Sequence, residues 1–164
     1  MNKNLIHDTA LISSNCKIGK NVIIGPYCII DNNVIIGNNT KIDSHTVIKP
    51  YTQIGNNCEI FSHCVIGEIP QDKKYAGEKT KLSIGNNTII REFCTLNRGT
   101  QEGKITKIGS NCLLMAYVHI GHDCCIKNDV ILANGVQLGG HVIIDDYAIV
   151  GGLTPVHQFC RIGK

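Results

Sequence analysis

The sequence predicts an all-β fold, a parallel solenoid in which each six residues supply one short strand and one corner, with two segments thrown out of the coil. Every sixth position from Ile6 to Ile162 is Ile, Leu or Val, apart from Asp72, Glu78 and Glu102. The blocks "IGKNVI", "IGPYCI", "IDNNVI", "IGNNTK", "IGNNCE" and "IGSNCL" carry a branched aliphatic first, often Gly second, often Asn fourth and a small residue fifth. Neither a strand alternating at two nor a helix at 3.6 gives a strict six-residue repeat, whereas a solenoid does. Three hexads close one triangular coil of about eighteen residues, with the aliphatic inside the prism stacked about 4.8 Å from its counterpart.

The elements follow in chain order. His7 lies near the start of the repeat, where the coil frays. Cys16, Cys28, Cys58, Cys64, Cys94, Cys112, Cys124 and Cys160 each fall four residues after an aliphatic, in the slot held elsewhere by Val, Thr or Ala. That slot needs a small, buryable side chain, and a free thiol meets the need. Only Cys125 lies outside it. The Asn residues of "IGNN" are corner residues tolerant of left-handed backbone angles, and His45 and His63 hold the same fourth position. The segment "EIPQDKKYAGEKTKLS" (68–83) lacks the aliphatics expected at 72 and 78, and "TQEGKITK" (100–107) lacks the one at 102. Both are expected to leave the prism as loops, where function commonly sits on a rigid scaffold.

Composition narrows the classes. The chain has 164 residues, 43% of them hydrophobic, and a formal net charge of +3. This is one domain's worth of core, read here as a single β-helix domain over 1–164. The start "MNKNLIHDTALISSNCK" has no apolar h-region, and no apolar run approaches the roughly 18 residues of a membrane span, so no membrane span and a cytoplasmic location are expected. Nine cysteines with no C-x-x-C pair fit reduced packing thiols rather than a disulfide scaffold. Modest charge, with five Tyr, three Phe and no Trp, argues against nucleic acid as a partner.

The stretch "VHIGHDCC" at 118–125 is where polar groups converge. Stacking at eighteen residues puts His122 beneath Gly140 and Gly140 beneath Gln158, with Asp123 beneath His141. His119 is half a hexad before His122, and His157 adjoins Gln158. All should occupy one edge of the prism within about 10 Å. Asp123 and His141 sit at corner positions and alone would read as structural; their stacking on His122 points to a base with its carboxylate, because catalytic groups must converge in space. Gly140 offers an unshielded backbone N–H to an oxyanion. Metal binding competes, since neutral imidazoles are common zinc ligands and the γ-type carbonic anhydrases use this kind of solenoid. Lys73, Lys74, Lys79 and Lys81, with Arg91 and Arg98, could meet a pyrophosphate and an acidic protein, or could simply be a solvated face.

The motifs "QDKKYAGE" (71–78), "NRGT" (97–100), "HIGHDC" (119–124), "LGGH" (138–141) and "VGGLTPVHQFC" (150–160) resemble, in order and spacing, the UDP-N-acetylglucosamine O-acyltransferase family of hexapeptide-repeat enzymes. The resemblance implies a left-handed parallel β-helix, an exception to the usual right-handed crossover. It implies transfer of a 3-hydroxyacyl group from acyl carrier protein to the 3-hydroxyl of UDP-N-acetylglucosamine, the first step of lipid A synthesis, in a homotrimer with sites between subunits. By matching motif, His122 would be general base, Asp123 would orient it, and the Gly140 N–H would hold the oxyanion. Asp72, Lys74, His119, His141, His157 and Gln158 would contact the sugar nucleotide or the acyl chain. No metal or organic cofactor is implied. The "QDKKYAGE" loop points away from the related amide-forming acyltransferases of the same pathway. Asn97 stands where the family often has His, and Gly121 where it often has Ala. The family continues past "RIGK" into further coils and a C-terminal helical region absent from this chain, so a non-catalytic hexapeptide-repeat scaffold that keeps sugar-nucleotide binding stands as the alternative.

Overall fold

The computed structural model describes residues 4–164, so the first three residues of the expected 1–164 domain lie outside the described residues. Twenty-four strands of two to four residues form three sheets of eight, and no helix occurs among the described residues. The first sheet runs from Leu5–Ile6 to Ile149–Val150, the second from Leu11–Ile12 to Pro155–Val156, and the third from Lys17–Ile18 to Arg161–Ile162. Every third strand joins the same sheet and every pairing is parallel, as Ile24↔Ile42 and Ile126↔Ile144 illustrate. Among the described residues no helix is long and apolar enough to cross a membrane.

The aliphatic rungs explain the register. Ile24, Ile30, Ile36, Ile42, Ile48, Ile54, Ile60 and Ile66 all point into the prism and are at most 1% exposed. Burying each such side chain contributes roughly 1.5–3 kcal/mol, and a slip of one residue would turn all of them to solvent. Register widens at two places only. Ile54 pairs with Ile84 and Ile84 with Ile108, so one coil holds two extra hexads and the next holds one. These are the hexads whose aliphatics are missing at 72, 78 and 102. Residues 69–80 and 98–104 leave the coil, while Lys81–Ile84 and Ile105–Ile108 already run as strands, so both excursions end earlier than the sequence pattern suggests. The excursions brace each other: the Lys79 N–H donates to Glu102 Oε2 at 3.0 Å and the Gly103 N–H to the Lys79 carbonyl at 3.3 Å.

The fifth-position slot is a hydrogen-bonding site as well as a packing one. Thr40 and Thr46 hydroxyls donate to the Gly55 and Phe61 carbonyls of the next coil at 2.9 Å. Cys28, Cys64 and Cys124 thiols make the same reach to Asp43, Arg91 and Gly139 at 3.0–3.1 Å. A small side chain with one donor serves both needs, which is why Cys and Thr share the slot. Cys16 is half-buried and Cys160 exposed, because each lies in a terminal coil.

Corners are set by the fourth position, which holds left-handed φ values of 54–65° in residues as different as Asn21, Phe93, His141 and Leu153. The corner between the third and first sheets is an asparagine ladder in which Asn21, Asn39, Asn57, Asn87 and Asn111 each donate to the next side chain at 3.0–3.2 Å, ending on Asp129. Asn accepts this backbone region readily. The corner between the first and second sheets stacks Tyr27, His45, His63, Phe93 and Tyr117 with centroids 4.9–5.1 Å apart, so ring contact offsets the strain of a bulky left-handed residue. The remaining corner, between the second and third sheets, carries both excursions.

Candidate active site

Because both excursions leave from this corner, they fold over the next two turns of it, where His122, Asp123 and His141 sit. The left-handed φ of 59° at Asp123 and 62° at His141 turns the chain at this corner. The His141 N–H donates to the His122 carbonyl at 2.9 Å, and the Phe159 N–H to the Gly140 carbonyl at 3.1 Å, which fixes three successive coils in eighteen-residue register.

His122 is 8% exposed. Its Nδ1 lies 2.9 Å from Asp123 Oδ2, and its Nε2 lies 3.9 Å from Asp72 Oδ2 on the first excursion. Burial alone would raise the Asp123 pKa, but hydrogen bonds from Thr100 and His122 outweigh it and hold the carboxyl below its ordinary value. Asp123 is therefore an ionised, acceptor-only group at neutral pH, which makes Nδ1 the donor and leaves the lone pair of a neutral His122 on Nε2. His141 Nε2 is 3.7 Å from the same carboxylate oxygen, its ring edge-on to His122 and stacked on Phe159 at 4.6 Å.

Gly140 lies directly against the His122 ring, and a Cβ there would fall on the imidazole. At the asparagine corner the equivalent amides of Asn38 and Asn56 are capped by Asn56 and Asn86 Oδ1 at 2.7 Å. The Gly140 N–H has no such acceptor among the described residues, although Gln158 lies one coil on. It is a donor left open beside the Nε2 lone pair.

Beyond a cleft of about 350 Å³ lined by residues that include Asp123, Cys125 and His141, two others flank this corner. One of about 270 Å³ is lined by Gln71, Asn97, His119, Gly121, His122, Gln137, Leu138, Gly139, Gly140 and Gln158, with no formally charged side chain. Burial lowers the His119 pKa and its Nδ1 is 2.8 Å from Thr95 Oγ1, so it is a neutral wall of this cleft. The other, about 460 Å³, is lined by Asp72, Lys74, Glu78, Thr100, Gln101, His141 and Phe159 and is charged and polar. Asp72 Oδ1 accepts from the Lys74 N–H at 2.9 Å, which orders the turn carrying both. Of the residues singled out from sequence, His119, His122, Asp123, Gly140, His141, Gln158, Asp72 and Lys74 thus come together. His157 does not join them: it is exposed, and among the described residues its ring meets only the Gln158 carbonyl, at 3.2 Å. Sequence reasoning overlooked Thr100, Gln71 and Phe159 as individual residues, although each lies inside a quoted motif.

A metal ion could find donors here, since atoms of His122, Asp123 and His141 lie within 4.8 Å of one another. Asp123 Oδ2, however, already accepts the His122 Nδ1–H and the Thr100 hydroxyl, so an ion bound through Nδ1 would have to displace the first of these. The donor set is built as a hydrogen-bonded imidazole–carboxylate pair.

A parallel six-residue solenoid defines a hexapeptide-repeat protein, and the family model described as bacterial transferase hexapeptide (six repeats) matches residues 33–67 and 105–140. The acyl-[acyl-carrier-protein]–UDP-N-acetylglucosamine O-acyltransferase of Thiobacillus denitrificans is 55% identical over 159 residues, covering 96% of this chain and 62% of that protein. Among solved structures, LpxA from Acinetobacter baumannii superposes with a TM-score of 0.95 at 52% identity, covering 97% of this chain and 62% of the other. LpxA of Bacteroides fragilis, a UDP-N-acetylglucosamine acyltransferase, superposes at 0.85 with 42% identity, covering 96% and 67%. The chain belongs to the UDP-N-acetylglucosamine acyltransferase family and has its left-handed parallel β-helix. It spans about three fifths of the length of the curated relatives it matches, at 62%.

Proposed function

We propose that this chain transfers a 3-hydroxyacyl group from acyl carrier protein to the 3-hydroxyl of UDP-N-acetylglucosamine, the first step of lipid A synthesis. One observation carries the reading: His122, held through Nδ1 by Asp123, turns its Nε2 toward the Gly140 N–H, which has no acceptor among the described residues. Nε2 takes the proton of the sugar hydroxyl as that oxygen attacks the thioester carbonyl. The Gly140 N–H stabilises the resulting oxyanion, and Asp123 stabilises the imidazolium. Collapse breaks the C–S bond, and the imidazolium returns its proton to the departing carrier thiolate. The charged cleft with Asp72, Lys74 and His141 suits the sugar nucleotide, while the uncharged cleft with His119 and Gln158 suits the acyl and pantetheine chain; His157 would reach substrate only from the rim. Every one of these groups is protein, so the reaction needs no metal or organic cofactor.

The partners follow from the same reading. Lys73, Lys74, Lys79 and Lys104 lie on or beside the excursions and have no carboxylate partner among the described residues, which suits an acidic carrier protein. A homotrimer in the cytoplasm fits a family whose sites lie between subunits. The deciding experiment is an assay of the purified chain with 3-hydroxyacyl carrier protein and UDP-N-acetylglucosamine, with His122→Ala alongside. Transfer that falls roughly 10²–10⁴-fold in the variant is the expected result. A folded chain that transfers nothing would leave a sugar-nucleotide-binding scaffold, and full activity in the variant would remove His122 as base.

A further inference from the structure

The segment Asn97–Thr100, the "NRGT" motif, supplies no reacting group to the chemistry above, yet it reaches the elements that carry both carboxylates around His122. Asn97 is 3% exposed and its Nδ2 donates to the Ile69 carbonyl, where the first excursion begins, at 3.0 Å. Arg98, 9% exposed, donates from Nη1 to the Pro50 carbonyl at 3.2 Å and from Nη2 to the Tyr75 hydroxyl at 3.1 Å. Tyr75 in turn donates its N–H to the Asp72 carbonyl at 3.1 Å, so Arg98 holds the turn that carries Asp72. Gly99 allows the closest approach: a Cβ there would stand 2.8 Å from Asp123 Oδ1. Thr100, 8% exposed, then donates its hydroxyl to Asp123 Oδ2 at 2.6 Å and turns its N–H toward both carboxylate oxygens at 3.3–3.4 Å.

Asp123 Oδ2 has two imidazoles within reach, His122 Nδ1 at 2.9 Å and His141 Nε2 at 3.7 Å, and rotation of the carboxylate would exchange them. We propose that Thr100 is a positioning residue whose hydroxyl and amide lock the Asp123 carboxylate onto His122, so that His122 alone holds its basic lone pair on Nε2. This rests on the reading of His122 as general base. Thr100 touches no reacting atom; it acts through Asp123, and the second excursion exists in part to deliver it.

Thr100→Val keeps the shape and removes the hydroxyl, and Thr100→Ser restores it. The readouts are the ¹⁵N signals of the His122 ring, the ¹³C titration of the Asp123 carboxyl, and steady-state transfer, all on the purified chain. In T100V the Asp123 carboxyl should titrate at higher pH, the His122 signals should move toward a mixture of tautomers, and kcat should fall roughly tenfold or more, a larger change than that in KM. Serine should recover all three. A T100V protein that melts earlier but keeps the wild-type His122 signals and Asp123 titration would overturn the proposal, leaving Thr100 as a loop anchor. Should T100V not fold, Thr100→Cys, with its weaker donor, makes the same comparison. If the wild-type chain itself transfers no acyl group, the functional reading fails while the spectroscopic arm still decides the role of Thr100.

Discussion

Asp123 is the most heavily engaged side chain of the molecule's polar corner, accepting from Thr100 and from His122 while its own N–H donates to Thr106 Oγ1 at 2.8 Å. Its pKa is held below the unfolded value, so between those two values the unfolded chain binds more protons and stability rises with pH. The contribution is complete above the ordinary carboxyl value of about 3.9 and is lost as pH falls through the depressed folded value. Asp123→Asn should therefore destabilise the chain by roughly 1–3 kcal/mol at pH 7, where a charged acceptor is replaced by a neutral amide. Chemical denaturation at pH 7 and again near pH 3 checks this: the gap between wild type and variant should narrow at the lower pH, and a constant gap would mean the ionised form carries no weight. Transfer should fall in the same variant at neutral pH, because an amide can no longer stabilise the imidazolium.

At the scale of the hexad, packing and chemistry divide cleanly between thiols. Burial pushes the Cys28, Cys58 and Cys112 thiols above their ordinary value and Cys124 up to about 12, and all four are enclosed in the prism. A brief pulse of iodoacetamide followed by mass spectrometry should label Cys16, Cys125 and Cys160 in the native chain and leave those four unmodified until denaturant is added. Labelling of Cys124 under native conditions would mean that its coil opens. The hexad was also what made the structure legible beforehand. Rungs such as Ile66 and Ile120 recur without a slip, so the period, the strand positions and the stacking of His122 on Gly140 and of Asp123 on His141 could be counted from the sequence. The excursions have no period, and counting stops where they begin. Asp72 meets His122 from fifty residues away in the chain, and Thr100 meets Asp123 from twenty-three, through loop paths that only three-dimensional bracing determines. His157 shows the converse limit: adjacency to Gln158 fixed its coil but not the exposure of its side chain.

Across the whole molecule, the strands of each coil pair only with those of the coils before and after it and the excursions alone reach further, so stability is close to a sum over repeats and their shared faces. Deleting residues 25–42, one full turn remote from the site, should keep every column in line: asparagine corner on asparagine corner, aromatic corner on aromatic corner. Deleting only 25–30 keeps the aliphatic rungs but rotates all that precedes by one face, setting aromatic rings against asparagines. Circular dichroism and thermal melting of the two variants should show the eighteen-residue deletion folding cooperatively at a modestly lower Tm. The six-residue deletion should be the less stable despite losing less chain; the reverse order would mean that the corner columns contribute little. The same serial architecture sets how the chain would yield to a pull along its axis. Coils would peel one at a time, most releasing roughly 60 Å of contour, but those enlarged by the two excursions releasing about 100 Å and about 80 Å. The loops that dress the polar corner would thus register as two long extensions in an otherwise even series, a mechanical signature of where the solenoid was opened to hold chemistry.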